Sequence, residues 1–441
     1  MREGLLFYDT QGPPAPSNLI RFEMPQRKLD VAIIADDLTG ALDTAAPFAA
    51  LGFESMVRLD LDPSPLTAGD DTRVLSLTTE SRHLARDMAE ERIRLAIAAA
   101  IVNQPRILLK KIDSTLRGNV AAEILACLRW CGRRHALIAP AVPSQGRVMR
   151  GGEIFIHGVP LRETQIGSGS LSPPPPVPLP EALSAASAAL TVHSWPRGAV
   201  FPLSVDAGLH AYVADCETDL ELDAIAQLAS SHRDVLLPVG ASGLGAALAR
   251  RLAGASASKP MFPTVNIGQG ARRPFLFVIG SRNAASAEQM VQLGEAGAKE
   301  LAIPLSASER ELDRFLSRNS SLDTPPVALI VRPDSPDEAN QFYASEVAQR
   351  LGRAAAALIR RLKINTVVLV GGDTAFETFR ALAVREVSIA GELMPGIAIG
   401  TICVHGQPMT LVTKAGGFGS ADTLVEILHH VRDAWSAGKR P

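Results

Sequence analysis

The sequence predicts an α/β fold: two α/β domains with largely parallel sheets and a cleft between them. Short apolar runs alternate with longer stretches of helical periodicity along most of the 441 residues, the pattern of strands joined by crossover helices. Glycine, hydroxyl and charged residues follow several of the runs, at the strand ends where open α/β sheets bind ligands. The length favours two or three domains, and a composition shift at residues 254–273 favours two.

The composition is that of a globular protein with a sizeable core and almost no net charge. Hydrophobic residues make up 46% of the chain, and 44 Lys and Arg oppose 46 Asp and Glu. Nothing therefore favours a nucleic-acid or membrane partner, and no run of about 18 apolar residues predicts a membrane span. The cysteines have no CxxC or zinc spacing, which is typical of a reducing cytoplasm; they are Cys127, Cys131, Cys216 and Cys403.

Residues 1–28 are polar, contain proline and lack periodicity. They have no basic region followed by an apolar core, so they do not predict a signal peptide. We interpret them as a disordered tail. Met24 is an alternative translation start, because regular structure is predicted to begin just after it.

The first strand–helix unit contains two adjacent carboxylates. Residues 29–35 predict a strand buried on both faces, and a helix follows to about residue 51. Asp36 and Asp37 lie between them, and Thr39 can cap the helix. Each carboxylate has three candidate roles, which are to cap the helix, to bind a metal or to accept the proton of a substrate hydroxyl.

The next two units add further charges at strand ends. Lys111 and Arg117 suit an anionic substrate, because arginine binds a carboxylate or phosphate at two points. Asp113 is a candidate base or hydroxyl acceptor. A capped helix start with a solvated ion pair explains the same residues and stays open. The predicted strands are residues 74–78 and 106–110, and the predicted helices are about 84–102 and 120–130.

The remainder of the first domain contains a long loop after a strand at residues 135–139. Long loops in compact domains are often functional; here Arg147 is a candidate anion ligand, and His157 is as well explained as a turn residue. Residues 168–180 include four consecutive prolines and predict a surface linker without helix. The glycine turn at 240–245 lacks a dinucleotide fingerprint. Further strands are predicted at 211–215 and 234–239, and helices at 219–230 and up to about 252.

Two glycine-rich turns stand out in the second domain. Backbone N–H groups exposed by such turns can hold phosphate, although two tight turns explain the glycines as well. Ser281 opens a helix and lies at a candidate anion-binding end. The turns contain Gly371, Gly372, Asp373 and Thr374, and then Gly416, Gly417 and Gly419 after Lys414. The predicted strands are 274–279, 327–331, 366–370 and 411–414, with a long helix at 336–362 and a helix at the C-terminal end.

These motifs, in this order, resemble the four-carbon acid sugar kinases, a family that includes threonate, erythronate and 3-oxo-tetronate kinases. The resemblance implies ATP-dependent phosphorylation of a hydroxyl on a short sugar acid, with Mg²⁺ accompanying the nucleotide. It implies an acid-sugar-binding domain at residues 29–255, a linker at 256–273 and a nucleotide-binding domain at 274–441. The matching segments are Ile34-Ala-Asp-Asp-Leu-Thr-Gly40, Lys110-Lys-Ile-Asp-Ser-Thr-Leu-Arg-Gly-Asn119, Ala139-Pro to Gly151-Gly152 with Gly158-Val-Pro160, Gly371-Gly-Asp-Thr374 and Lys414-Ala-Gly-Gly-Phe-Gly419.

The resemblance also implies roles for individual residues. A carboxylate should orient or deprotonate the attacking hydroxyl; we assign this role to Asp37, with Asp113 second. Lys111 and Arg117 would hold the substrate carboxylate or the transferring phosphoryl group. The implied acid-sugar pocket is Asp36, Asp37, Ser81, Arg82, Lys111, Asp113 and Arg117, and the implied ATP site is Ser281, Gly371, Gly372, Asp373, Thr374, Gly416 and Gly417. The sequence does not identify the protein ligands of Mg²⁺.

One segment departs from the family pattern. The family commonly has Ala-Asn-Asp-Thr-Gly after the glycine at position 40, whereas this chain has Ala41-Leu-Asp-Thr-Ala45. A non-catalytic sensor of sugar acids or nucleotides on the same scaffold therefore stays open. A nicotinamide-dependent sugar-acid dehydrogenase is disfavoured by the missing GxGxxG. The expected partners are a small sugar acid and ATP, with a homo-oligomer left open.

Overall fold

The computed structural model describes residues 29–66, 71–164, 173–254, 274–319, 328–334 and 344–437. These residues form an α/β protein, which confirms the predicted fold class. The helices are α1 Leu38–Ala50, α2 Arg86–Ile101, α3 Val120–Trp130, α4 Leu179–Ala186, α5 Asp219–Ser231, α6 Ser242–Ala253, α7 Ala284–Glu295, α8 Glu309–Asn319, α9 Ala344–Leu362, α10 Gly372–Leu382 and α11 Thr423–Ala437. The strands are β1 Val31–Ala35, β2 Ser55–Arg58, β3 Val74–Thr78, β4 Ile107–Lys111, β5 His135–Ala139, β6 Arg147–Arg150, β7 Glu153–Ile156, β8 Val159–Pro160, β9 Leu190–Trp195, β10 Leu209–Ala214, β11 Leu236–Gly240, β12 Phe275–Ile279, β13 Lys299–Ile303, β14 Ala328–Pro333, β15 Thr366–Val370, β16 Glu386–Met394, β17 Ile397–Val404 and β18 Gln407–Lys414.

The N-terminal half of the main sheet consists of parallel strands in the order β2-β3-β1-β4-β11-β5-β10-β9. Every residue of β1 is buried, and alternate residues pack into two different apolar clusters, as a strand covered on both faces requires. Thr78 and Lys111 both lie beside Ala35 in the register of the sheet. The polar segments that follow β3, β1 and β4 therefore begin at one edge.

The C-terminal half also places the segments that follow its strands at one edge of the sheet. Its strands run in the order β13-β14-β12-β15-β18-β17-β16, and the first five are parallel to one another. Val370 of β15 pairs with Ile279 of β12 on one side and with Lys414 of β18 on the other. The two glycine-rich turns and the segment that contains Ser281 therefore leave the sheet side by side.

The two halves join edge to edge into one sheet of 15 strands. β2 pairs antiparallel with β16, from Ser55 opposite Ile389 to Arg58 opposite Glu386. The Nε atom of Arg58 lies 3.3 Å from Oε1 of Glu386 and adds an ion pair to this junction. Neither strand is predicted from the sequence, since β2 has four residues and β16 contains charged residues and a central glycine, which weaken a strand pattern.

Other local elements also differ from the sequence predictions. The loop after β5 contains a small antiparallel sheet of β6, β7 and β8. Helix α4 begins at Leu179 with Pro178 at its N-cap, so the prediction of a helix-free segment at 168–180 was wrong at its end, because the first helical turn tolerates proline. The predicted tail, the predicted linker at 256–273 and the predicted helix start at 336 lie outside the described residues. Among the described helices, none has the length and apolarity needed to cross a membrane.

Candidate active site

A cavity of about 350 Å³ lies between the two halves, where the carboxyl ends of their strands face each other. The segments after β1, β3, β4 and β5 form one wall, and the segments after β12, β15 and β18 form the other. Every predicted site residue except Ser81 contributes to the lining. Two sets of residues that are far apart in the sequence therefore share one cavity.

Arg82 holds three carboxylates together on the N-terminal wall. Its Nε lies 2.7 Å from Oδ2 of Asp36, and its Nη2 lies 2.8 Å from Oδ1 of Asp37 and 3.6 Å from Oδ1 of Asp113. Burial alone would raise the pKa of Asp36, but Arg82 and Lys111 outweigh it and lower that pKa. The charge of Arg82 is thus already neutralised, so the arrangement favours a role in positioning the acids over the predicted direct contact with substrate.

Asp113 and Arg117 form a tight pair on the loop before α3. Arg117 donates from Nε and Nη2 to the two carboxylate oxygens of Asp113, at 2.8 and 2.7 Å, and the hydroxyl of Thr115 donates to the same carboxylate. Burial opposes ionisation, yet Arg117 and Arg82 hold the pKa of Asp113 well below its usual range. Such a carboxylate is a weak base, and its partner is not free for a substrate anion. The geometry therefore disfavours the predicted second-choice base and the predicted anion-binding role of Arg117.

Two cations of the N-terminal wall form no ion pair with a carboxylate among the described residues. Within the described residues, neither Lys111 nor Arg147 forms an ion pair with an acid, although both line the cavity. Arg147 donates from Nη1 to the hydroxyl of Ser114. Lys111 packs against α1 so closely that a Cβ at Gly40 would lie 2.6 Å from its Nζ. These two cations are the ones available to an anionic ligand on this wall.

Ser81 lies behind the wall instead of in it. It is fully buried, and its hydroxyl donates to Oε1 of Glu123 at 2.6 Å. The other oxygen of Glu123 lies 2.8 Å from Nζ of the fully buried Lys110. The predicted substrate contact of Ser81 finds no support in this geometry, because its hydroxyl stabilises a buried ion pair.

The C-terminal wall is built from backbone and small hydroxyl side chains. Gly371 has φ 101°, a left-handed value that favours glycine. Gly416 packs against Ser281, where any Cβ would overlap the serine hydroxyl. A Cβ at Gly417 would lie 2.9 Å from Nδ2 of Asn283, the N-cap residue of α7. The glycines are therefore required for the turns to approach one another.

Lys414 holds the second glycine-rich turn in shape. Its Nζ donates to the carbonyl oxygens of Ala415, Gly416 and Phe418, at 2.9, 3.2 and 2.7 Å. Burial lowers the pKa of Lys414 to about 8. From the other side, Gln289 of α7 donates to the carbonyl of Phe418 at 3.0 Å. The lysine that precedes the turn thus organises its backbone.

The two walls meet at Asp37 and Gly372. Asp37 is the N-cap residue of α1 and accepts the N–H of Gly40 on Oδ1 at 2.9 Å. Gly372 is the first residue of α10, and a Cβ there would lie 3.1 Å from Oδ2 of Asp37 and 3.1 Å from Oγ1 of Thr39. The favoured base thus faces the first glycine-rich turn directly.

Two further acids line the cavity without a role predicted from the sequence. Asp43 lies on α1 and its pKa is raised by burial to about 6. Glu80 follows β3, and its backbone has φ 47°, which is unusual for a residue other than glycine. Asp43 lies two turns into a helix that begins at a carboxylate pair, which is a signal that could have identified it. The backbone angle of Glu80 has no signature in the sequence.

The acids of the cavity do not form a metal-binding cage. Among the described residues, no group of three or more His, Cys, Asp or Glu side chains is arranged to hold a metal ion. Mg²⁺ usually binds proteins through one or two carboxylates together with substrate phosphates. Asp373, at the first glycine-rich turn, is a cavity carboxylate of the kind that such an ion uses.

Domain comparisons assign a class to each half of the chain. Residues 31–248 match the sugar-binding N-terminal domain, and residues 276–424 match the nucleotide-binding C-terminal domain. A protein with one sugar-binding and one nucleotide-binding domain facing a common cleft is of the type that phosphorylates small carbohydrates. The chain belongs to the four-carbon acid sugar kinase family, as the resemblance of its motifs predicted.

Several relatives support this membership along nearly the whole chain. A D-threonate kinase of Bordetella bronchiseptica is 30% identical and covers 91% of this chain and 98% of its own length. A D-erythronate kinase of Heliobacterium modesticaldum is 29% identical, with coverages of 89% and 95%. A 3-oxo-tetronate kinase of Methylobacterium radiotolerans is 25% identical, with coverages of 89% and 97%.

Two solved structures share the fold at lower sequence identity. A Salmonella typhimurium LT2 protein has a TM-score of 0.72 at 18% identity, covering 90% of this chain and 98% of its own. A Haemophilus influenzae protein has a TM-score of 0.66 at 19% identity, with coverages of 91% and 99%. At these identities, both similarities show a shared fold and nothing more.

Proposed function

We propose that this protein is an ATP-dependent kinase that phosphorylates a hydroxyl of a four-carbon or similarly short sugar acid, or of its 3-oxo form. One observation carries the proposal. The carboxylate of Asp37 on the sugar-binding wall lies directly against Gly372 at the start of α10. A hydroxyl bound at Asp37 would therefore face a phosphate bound at the first glycine-rich turn, as transfer between the two requires.

Asp37 is the proposed base. Arg82 and the N–H of Gly40 fix its orientation, and Oδ2 is the oxygen nearest to the C-terminal wall. In the proposed reaction the substrate hydroxyl attacks the terminal phosphorus of ATP, the bond from that phosphorus to ADP breaks, and the hydroxyl proton passes to Asp37. Asp113 supports the site by holding Arg117 and, more distantly, Arg82.

The acid group of the substrate would bind to Lys111 and Arg147. They are the cations of the N-terminal wall without a carboxylate partner in the described part of the chain, and a bidentate arginine contact suits a carboxylate. Asp36 offers a complementary feature, because its Oδ1 is buried without a hydrogen-bond partner. A hydroxyl of the sugar acid would supply the missing donor.

The nucleotide would lie on the C-terminal wall. Backbone N–H groups at the start of α10 and in the turn at 415–419 suit phosphate oxygens. Mg²⁺, when bound with the phosphates, supplies neutralisation of their charge. Asp373 is the residue proposed to contact it.

We further propose that the enzyme works in the cytoplasm, where ATP and a reducing environment are available. All four cysteines are free thiols, and Cys127 and Cys216 are buried in the core. Burial raises the pKa of Cys216 to about 12, so this thiol stays protonated and unreactive.

A coupled ADP-release assay tests the proposal. The protein is incubated with ATP and Mg²⁺ against a panel of four-carbon and branched sugar acids and their 3-oxo forms. Release of ADP with one acid, together with a phosphorylated product detected by mass spectrometry, is the expected result. Binding of ATP without turnover of any acid would favour a sensor, and failure to bind ATP would overturn the nucleotide assignment.

A further inference from the structure

Glu80 is a cavity side chain that has no role in the reaction proposed above. It lines the cavity on the segment between β3 and α2. Its backbone lies in the left-handed region, with φ 47°, a conformation that is strained for a residue other than glycine. Strain of this kind persists only where the surrounding structure enforces it.

The neighbours of Glu80 enforce this conformation from both sides. The N–H and the hydroxyl of Thr79 both donate to the carbonyl of Ala35, at 2.8 and 2.9 Å. The N–H of Ser81 donates to the carbonyl of Asp36 at 3.0 Å. The residues on either side of Glu80 are thus anchored to the end of β1, and the segment turns the glutamate into the cavity.

The position of Glu80 brings it close to both walls. Asp37, the proposed base, and Asp373, in the first glycine-rich turn, are near enough to disfavour a negative charge on Glu80. Arg82 acts in the opposite sense, and the hydroxyl of Thr78 donates to Oε1 of the glutamate. Glu80 therefore lines the same cavity as the proposed base and the first glycine-rich turn.

We propose that Glu80 presents an uncharged carboxyl group to the transferring phosphoryl group and donates a hydrogen bond to one of its oxygens. This inference rests on the proposed kinase function. The proton stays on Glu80 throughout, while the hydroxyl proton of the substrate goes to Asp37. An ionised glutamate at the same place would repel the phosphate, whereas the neutral acid stabilises it.

The charge state follows from the surroundings. Burial raises the pKa of Glu80 to about 8, and Asp37 and Asp373 add to the rise against the opposing effects of Thr78 and Arg82. His83 also lines the cavity, and burial lowers its pKa, so it is neutral where Glu80 titrates. Lys414 is the other group expected to titrate in the same pH range, because burial lowers its pKa to about 8 as well.

The test compares pH profiles of kcat/KM for ATP in the wild type, Glu80→Gln and Glu80→Ala. In the wild type the value should fall between about pH 7 and about pH 9.5, as the glutamate loses its proton. Glu80→Gln keeps a donor that does not ionise, so this fall should disappear. Glu80→Ala should lose about tenfold or more relative to the wild type at about pH 7 and below, where the glutamate is protonated, because it removes the donor. A fall that persists unchanged in Glu80→Gln would assign it to Lys414 and overturn the proposal.

Thr78→Val gives a second, independent variant. The hydroxyl of Thr78 lowers the pKa of Glu80, so its removal should move the alkaline fall to higher pH. The side chains are nearly the same size, and Thr78 is fully buried, so a shift of the profile with little change in melting temperature supports the proposal. An unmoved profile in the folded variant contradicts it.

Binding measurements separate this inference from the kinase proposal. Calorimetry of ATP and ADP at about pH 7 and about pH 9.5 should show that the wild type loses part of its preference for ATP at the higher pH. Glu80→Gln should keep the same preference at both. A pH-dependent ATP preference without turnover of any acid would sink the kinase proposal alone, and turnover with a preference that ignores Glu80 would sink this inference alone.

Discussion

The two walls of the cavity present different groups to a ligand. The N-terminal wall uses charged side chains, most of which are neutralised by one another, as in the contacts of Arg82 with Asp36 and Asp37. The C-terminal wall uses glycine turns whose shape is held by hydrogen bonds to backbone carbonyls, such as those of Lys414. A wall of paired charges can select the shape and hydroxyl pattern of a small acid. A wall of backbone groups can hold phosphates that are common to all nucleotides of one type.

The difference between the two walls also affects how well each wall tolerates substitution. Removing one member of a buried charge network leaves its partners unpaired, with a large effect on stability or chemistry. Adding a methyl group to a glycine turn alters only a local approach between two loops. Substitutions on the N-terminal wall should therefore have larger consequences than comparable ones on the C-terminal wall.

The largest effect is expected for Asp37→Asn. The amide can still accept the N–H of Gly40 at the N-cap but cannot take the proton of the substrate hydroxyl. The value of kcat should fall about 10²–10⁴-fold, measured by ADP release at saturating ATP and acid. Asp62→Asn serves as the control, since Asp62 lies at the surface, where its carboxylate accepts the N–H of Ser64. The activity of this control variant should equal that of the wild type. A small loss of kcat in Asp37→Asn would remove Asp37 as the base.

Arg147→Ala should raise KM for the sugar acid about 10- to 100-fold, since a hydrogen-bonded charge contact is worth about 1.5–3 kcal/mol. KM for ATP should change little, because the acid and the nucleotide are proposed to bind to different walls. Both constants follow from initial rates at varied substrate concentrations. Arg150→Ala is the matched control, because Arg150 lies on the same strand but pairs with Glu217 at the surface. An equal rise of both KM values would contradict the division between the walls.

Asp113→Asn should lower the free energy of unfolding by about 2 kcal/mol at neutral pH, because Arg117 loses its charged partner. The pKa of Asp113 is lower in the folded protein than its usual value of 3.8. Its stabilising effect is therefore present above about pH 4 and is lost as the pH falls through the folded-state pKa.

Urea unfolding of wild type and variant at about pH 7 and about pH 3 checks this prediction. The difference in free energy of unfolding between the two proteins should be smaller at the acidic pH. A difference that is the same at both pH values would show that the charge of Asp113 does not contribute, and that only the shape of its side chain matters.

The smallest effect is expected for Gly416→Ala. The new Cβ would overlap the hydroxyl of Ser281, and local overpacking costs about 1–2 kcal/mol. KM for ATP should rise about tenfold, with kcat and the KM for the acid nearly unchanged. Gly294→Ala in α7 is the control, because its Cβ would meet only Oε1 of Glu300 at 3.8 Å. A rise in the KM for the acid as large as that for ATP would contradict the proposal that the two ligands bind to different walls.

Much of this site could be predicted from the sequence. Polar segments after apolar runs were assigned to the carboxyl ends of parallel strands, and such ends share one edge of a sheet. Asp37, Lys111 and the glycine-rich turns reach the cavity for this reason. Ser81, which the resemblance assigned to the acid-sugar pocket, lies behind the wall, where its hydroxyl donates to Glu123.

The sequence also could not show which arginines are bound to a carboxylate and which are available to a ligand. Arg117 and Arg147 are both near Asp113 in space, but one is bound to it at two points and the other has a hydroxyl partner. Arg82 lies more than 40 positions from Asp36 in the sequence, yet it contacts that residue at 2.7 Å. Periodicity contains no information about such pairs.

Local patterns in the sequence were thus sufficient to predict the α/β class, the strands whose ends carry the candidate ligand groups, and the family. They depend on interactions between residues that are close in the chain, such as helix capping and the alternation of buried side chains. The tertiary structure decided which charges are free, that β2 and β16 join the two sheets, and that Glu80 is turned into the cavity. Coulomb energies and close packing change within a few ångströms between residues that are distant in the chain, so only the folded arrangement determines them.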